Sequence, residues 1–77
     1  DDALIEELAE KAEYKDLIAA IKNVPTPYNE VLFLHYVSEL PVKKTAALLE
    51  RKASTVKMQL VRGKKLLLQA LRGQENE

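Results

Sequence analysis

Helix breakers are few and bunched in this 77-residue chain: prolines stand only at 25, 27 and 41, and glycines only at 63 and 73. Between them apolar residues recur at spacings of three and four, with no strand-like alternation, which restricts the chain to helices joined by short turns. Leu4, Ile5, Leu8, Ala12, Leu17, Ile18 and Ile21 predict one amphipathic helix over residues 3–22, with Asp and Glu toward its start, where the helix dipole favours them. Residues 23–27 end it, because two prolines remove amide donors and push Val24 and Thr26 toward extended backbone. Thr26 before Pro27 has the form of an N-cap, so a second helix is expected over 27–38. Val31, Leu32, Phe33, Leu34, Tyr36 and Val37 make that helix apolar around most of its circumference and hence central. Pro41 opens a short helix over 42–50 with Thr45, Ala46, Leu48 and Leu49 inward, residues 50–53 form a turn, and a long helix over 54–72 closes at Gly73. Residues 74–77 read as a frayed tail. The expected fold class is all-α: a four-helix domain whose last two helices are joined by a short turn.

Composition narrows the chemistry. A chain this short buries only about 60% of its unfolded surface, so it forms one domain and offers little room for an enzyme cleft. There is no cysteine and a single histidine, which excludes disulfides, thiol nucleophiles and most metal sites. No combination of Ser54, Thr55, His35 and the carboxylates supplies a nucleophile, base and orienter, and no glycine-rich phosphate loop is present, so neither catalysis nor a cofactor is expected. No apolar run approaches the roughly 20 residues of a membrane span and the N-terminus has no signal-peptide pattern, which makes the cytoplasm the expected compartment.

The net charge of zero conceals a split. Residues 1–40 hold three cations against nine anions, and residues 41–77 hold nine cations against three anions. The chain is an electrical dipole whose basic half suits an anionic partner or its own acidic half. A short helix, a tight turn and a long basic helix make the helix-turn-helix pattern. At about 100° per residue, Val56, Leu60, Gly63, Leu67, Ala70 and Leu71 gather into one third of the last helix. Ser54, Met58, Val61, Arg62 and Lys65 fall on the opposite side, flanked by Thr55 and Lys57, and a helix of this diameter fits the DNA major groove.

Pro25, Tyr28, Glu30, Val31, Leu32, Leu34 and Tyr36, then Leu40, Lys43, Ala46 and Leu49, then Thr55-Val56-Lys57, Leu60, Arg62, Lys65, Leu67 and Ala70-Leu71 resemble the C-terminal promoter-reading domain of bacterial sigma factors. This is region four, and the resemblance is to its extracytoplasmic function group. It divides the single domain of residues 1–77 into a linker or first-helix extension (1–13), the region-four helix-turn-helix (14–72) and a tail (73–77). It implies recognition of the minus-35 element of double-stranded promoter DNA on core RNA polymerase, with an anti-sigma factor as a further partner. It also implies DNA contacts by Lys43, Ser54, Thr55, Lys57 and Arg62, with Lys57 and Arg62 as the main polar groups, and the outward side of the last helix with the turn before it adds Lys52, Met58, Val61 and Lys65 to the expected contacts.

The sequence also departs from the family. Glu50-Arg51-Lys52 replaces the usual turn of glycine, aliphatic and small polar residues, which removes a permissive glycine and a buried anchor. Gln59 takes an arginine position, and Met58 and Val61 put apolar groups on the reading face, where they can touch a thymine methyl. Leu66 and Leu68 lie off the buried stripe and suggest an apolar outer surface. A rival reading is therefore a protein-interaction module built on Met58, Val61, Leu66 and Leu68. A response-regulator output domain, which shares the Thr-Val-Lys start of the last helix, is disfavoured by residues 25–36. Lys64 reads as a flank charge without a role, His35 as a packed core histidine, and Tyr14, Tyr28, Phe33 and Tyr36 as core. The acids of the first helix serve solubility, or screen the basic face.

Overall fold

The computed structural model describes the backbone of residues 2–75 and the side chains of residues 3–73. Among the described residues it is all-α with five helices rather than four: α1 (Asp2–Lys11), α2 (Tyr14–Lys22), α3 (Tyr28–Tyr36), α4 (Val42–Leu49) and α5 (Ala53–Glu75). The long helix α5 packs against each of the other four and sets the 37 Å long axis of the molecule. Its 23 residues span about 34 Å at helical rise.

The expected helix over 3–22 is broken at Ala12 and Glu13. The cause lies in its apolar pattern. Ile5, Leu8, Ala9 and Ala12 share one face, whereas Leu17, Ala20, Ile21 and Val24 share a face turned by about 120°. A straight rod cannot bury both. Extended backbone at Glu13 (ψ 147°) resets the direction, and its carbonyl accepts the amides of Asp16 and Leu17 to start α2. Both faces then reach the core, where Ile5 and Ala9 join Leu17, Ala20, Ile21, Val24, Val31, Leu32, Ala46, Val56, Leu60, Leu67 and Leu71.

Three other boundaries differ. Thr26 does not cap α3: the preceding residue is Pro27, which follows a cis Thr26-Pro27 bond, and the amides of Tyr28 and Asn29 donate to the Pro25 carbonyl. At its other end α3 stops at Tyr36, two residues short of Ser38. Gly73 does not close α5, which continues to Glu75, because a glycine is tolerated within a helix when nothing forces it left-handed. Of the expected tail, residues 74 and 75 are thus helical, and residues 76 and 77 lie outside the described residues.

Candidate nucleic-acid interface

The interface begins at the turn between α4 and α5. Glu50 ends α4 in the left-handed region (φ 56°, ψ 47°), so the turn keeps a glycine-type conformation without a glycine. Its amide donates to the Ala47 carbonyl, and the Arg51 amide donates to Ala46 at 2.9 Å, closing two carbonyls that a helix end leaves open.

Arg51 replaces the missing apolar anchor. Its Nη1 donates to Gln59 Oε1 of α5 at 3.1 Å, and its Nη2 is bound to Glu30 Oε1 of α3. The guanidinium fork thus ties the turn to both neighbouring helices, a geometry that suits arginine's fixed set of donors. Gln59 is turned inward and only 8% exposed, which removes it from the reading face where the sequence placed it.

The remaining faces of α5 divide as the wheel predicts at their centres. Val56, Leu60, Gly63, Leu67 and Leu71 are buried, while Ser54, Lys57, Met58, Val61, Arg62 and Lys65 are exposed. Thr55 and Ala70 are half-buried, and Lys43 and Lys52 are exposed, Lys43 in the first turn of α4 and Lys52 in the turn before α5. The nine expected contact residues thus lie on α4, the turn and the first four turns of α5. Among the described residues, Lys43, Lys52, Lys57, Arg62 and Lys65 make no ion pair.

Several flank assignments need correcting. Leu66 and Leu68 are half-buried against the core, so they form no apolar outer surface. Lys64 has a structural role: its side chain is 19% exposed and its Nζ lies 3.1 Å from Glu6 of α1. Tyr36 donates its hydroxyl to the same carboxylate at 3.0 Å. Burial pushes the Glu6 carboxyl up, but the hydrogen bonds from Lys64 and Tyr36 and the Lys64 charge bring it below its usual value. Burial, aided by the Lys64 charge, holds His35 below the usual histidine value despite Glu6. The His35 ring meets Tyr36 edge-on at 4.6 Å. Among the described residues, the acidic helix α1 therefore pairs with Lys64 and with none of the five cations named above.

Tyr14, Phe33 and Leu48 are exposed rather than core. Phe33 and Leu48 join Ile21, Leu34 and Leu49 in an apolar groove of about 380 Å³ between α2, α3 and α4. Reading the sequence missed this groove because α3 is apolar all round and gives no sign of which side stays open. It also missed the Arg51–Glu30–Gln59 link, whose only signal was a charged turn where an anchor was due.

Among the described residues no group of three or more histidines and carboxylates is placed to hold a metal ion, and no helix is long and apolar enough to cross a membrane. No curated protein and no solved structure matches the chain. The family model described as Sigma-70, region 4 matches residues 14–67, which begins at the first residue of α2 and includes α3, α4, the turn and the first fifteen residues of α5. With a match over well more than half its length and an all-α helix-turn-helix framework, the chain belongs to the sigma-70 region 4 family of DNA-binding domains of transcription initiation.

Proposed function

We propose that this domain reads the minus-35 promoter element by seating the exposed side of α5 in the major groove, as part of a sigma factor of the extracytoplasmic function type. Members of the region 4 family generally bind that element together with RNA polymerase. The observation that carries the proposal is the face itself: Ser54, Lys57, Met58, Val61, Arg62 and Lys65 are exposed on one side of a helix whose other side is locked into the core. Lys57 and Arg62 supply the principal polar contacts, Thr55 and Ser54 reach phosphate oxygens at the start of the helix, and Lys43, Lys52 and Lys65 neutralise phosphates. So few contacts give an isolated domain an affinity of about 10⁻⁴ to 10⁻⁶ M, and attachment to polymerase supplies the effective concentration that working specificity needs.

The apolar groove favours a protein partner alongside DNA. Asn29 lines it with a buried Oδ1 that has no hydrogen-bond partner among the described residues, and an amphipathic helix of core polymerase or of an anti-sigma factor would cover both. This replaces the surface of Leu66 and Leu68 as the route to a protein-interaction role.

Titration of a labelled promoter duplex at several salt concentrations tests the DNA reading. If Lys43, Lys52 and Lys65 each neutralise a phosphate, log K falls with log salt at a slope of about −2.7, Lys43→Ala with Lys65→Ala reduces it to about −0.9, and Lys57→Ala with Arg62→Ala weakens binding through the lost base contacts. Absence of duplex binding even at low salt would overturn the proposal in favour of the protein-interaction role.

A further inference from the structure

The side chains that read base edges with two planar groups at once are chiefly Arg, Asn and Gln, with Lys a single cationic donor to guanine. The structure removes most of them from this interface. Gln59, the only amide side chain in the first three turns of α5, is buried and accepts a hydrogen bond from Arg51. Arg51 is itself held by Gln59 and Glu30. Lys64 is held by Glu6. Arg62 is left as the one guanidinium fork on the reading face.

The centre of the face is apolar. Met58 and Val61 are 45% and 54% exposed and stand one turn apart, which makes them surface neighbours. Cations border the pair, with Lys57 on one side, Arg62 on the other and Lys65 one turn beyond Val61. An apolar patch inside a cationic rim matches one feature of the major groove: the thymine C5-methyl is the only apolar group that the base edges present there, and phosphates line both banks.

Resting on the DNA-reading role, we propose that this domain selects its element mainly through thymine methyl groups packed against Met58 and Val61, with Arg62 reading a neighbouring guanine. Specificity then comes from methyl burial more than from hydrogen-bond pairs. Each methyl covered contributes roughly fourfold in affinity.

The experiment selects tight binders to the full chain from a short randomised duplex pool, then remakes them with deoxyuridine in place of thymidine, which deletes only the methyl. Binding is followed by fluorescence anisotropy. Selected sequences should be rich in thymine beside a guanine, and the deoxyuridine versions should bind about fourfold more weakly per methyl lost. The Met58→Ser, Val61→Ser double variant should bind both versions equally, with an unchanged salt slope and thermal midpoint. Equal affinity of the wild type for the thymidine and deoxyuridine duplexes, with salt-dependent binding intact, overturns the methyl proposal and leaves the DNA-reading role standing. No duplex binding at low salt overturns both and assigns Met58 and Val61 to a protein partner.

Discussion

Glu50 holds a backbone angle that costs a residue with a Cβ roughly 1–2 kcal/mol, and it does so at the hinge of the helix-turn-helix. Glu50→Gly should therefore stabilise the domain by about 0.5–1 kcal/mol after the added entropy of glycine, raising the thermal midpoint by a few degrees. A lower midpoint would mean that the glutamate side chain contributes more than its backbone conformation costs. The centres of the two faces of α5 were legible residue by residue, because Val56 and Leu67 lie in the middle of the apolar stripe and Met58 and Lys65 lie opposite. The flanks were not. Gln59 and Lys57 stand at nearly the same angular distance from the stripe, about 80°, on opposite sides. Gln59 is buried and Lys57 exposed, since the neighbour that covers a flank belongs to the tertiary arrangement rather than to the helix.

Among the elements, the presence of helices and the turn after Leu49 could be read from spacing, while the break at Ala12 and Glu13 was hidden in a pattern that keeps apolar residues coming but rotates them. A single moderately amphipathic helix and two short ones sharing a core look alike until the direction of each face is followed. Gly63 shows how closely the elements fit. A Cβ there would lie 3.2, 3.3 and 3.4 Å from the branch atoms of Leu32, which is itself fully buried on α3. Nothing lies within 4 Å of a Cβ at Gly73. Gly63→Ala should lose about 1 kcal/mol, because overpacking of about 1–3 kcal/mol outweighs a gain in helix propensity of about 1 kcal/mol. Gly73→Ala has only the propensity gain and should stabilise by about 0.5 kcal/mol. Equilibrium urea unfolding of the two variants checks the contrast, and equal effects would mean that α3 and α5 are not in close contact at Gly63.

At the scale of the whole molecule, the charge split read from the sequence partly closes on itself. Glu6 of the acidic α1 holds Lys64 of the basic α5, with Tyr36 as a second donor and His35 beside them, and Glu10 and Glu39 line the same recess. Acid removes stability here in two stages. His35 has a lowered native pKa, so below about 6.5 the unfolded chain takes up its proton first and stability falls with pH. The lowered Glu6 carboxyl contributes fully above 4.5, and that contribution is lost as pH drops through its native value. The thermal midpoint should decline on acidification from neutral pH, and His35→Gln should remove the first part of the decline. A profile unchanged by that substitution would show that His35 is not titrating at this contact.

The outer side of α5 as the surface that meets a nucleotide duplex is the claim on which the functional account turns, and side-chain methyl resonances report it most directly. On adding promoter duplex, the methyl groups of Met58 and Val61 should shift strongly, and those of Val56 and Leu67 on the buried side should move little. Shifts confined to Leu34, Leu48 and Leu49 in the groove, with Met58 and Val61 unmoved, would contradict it.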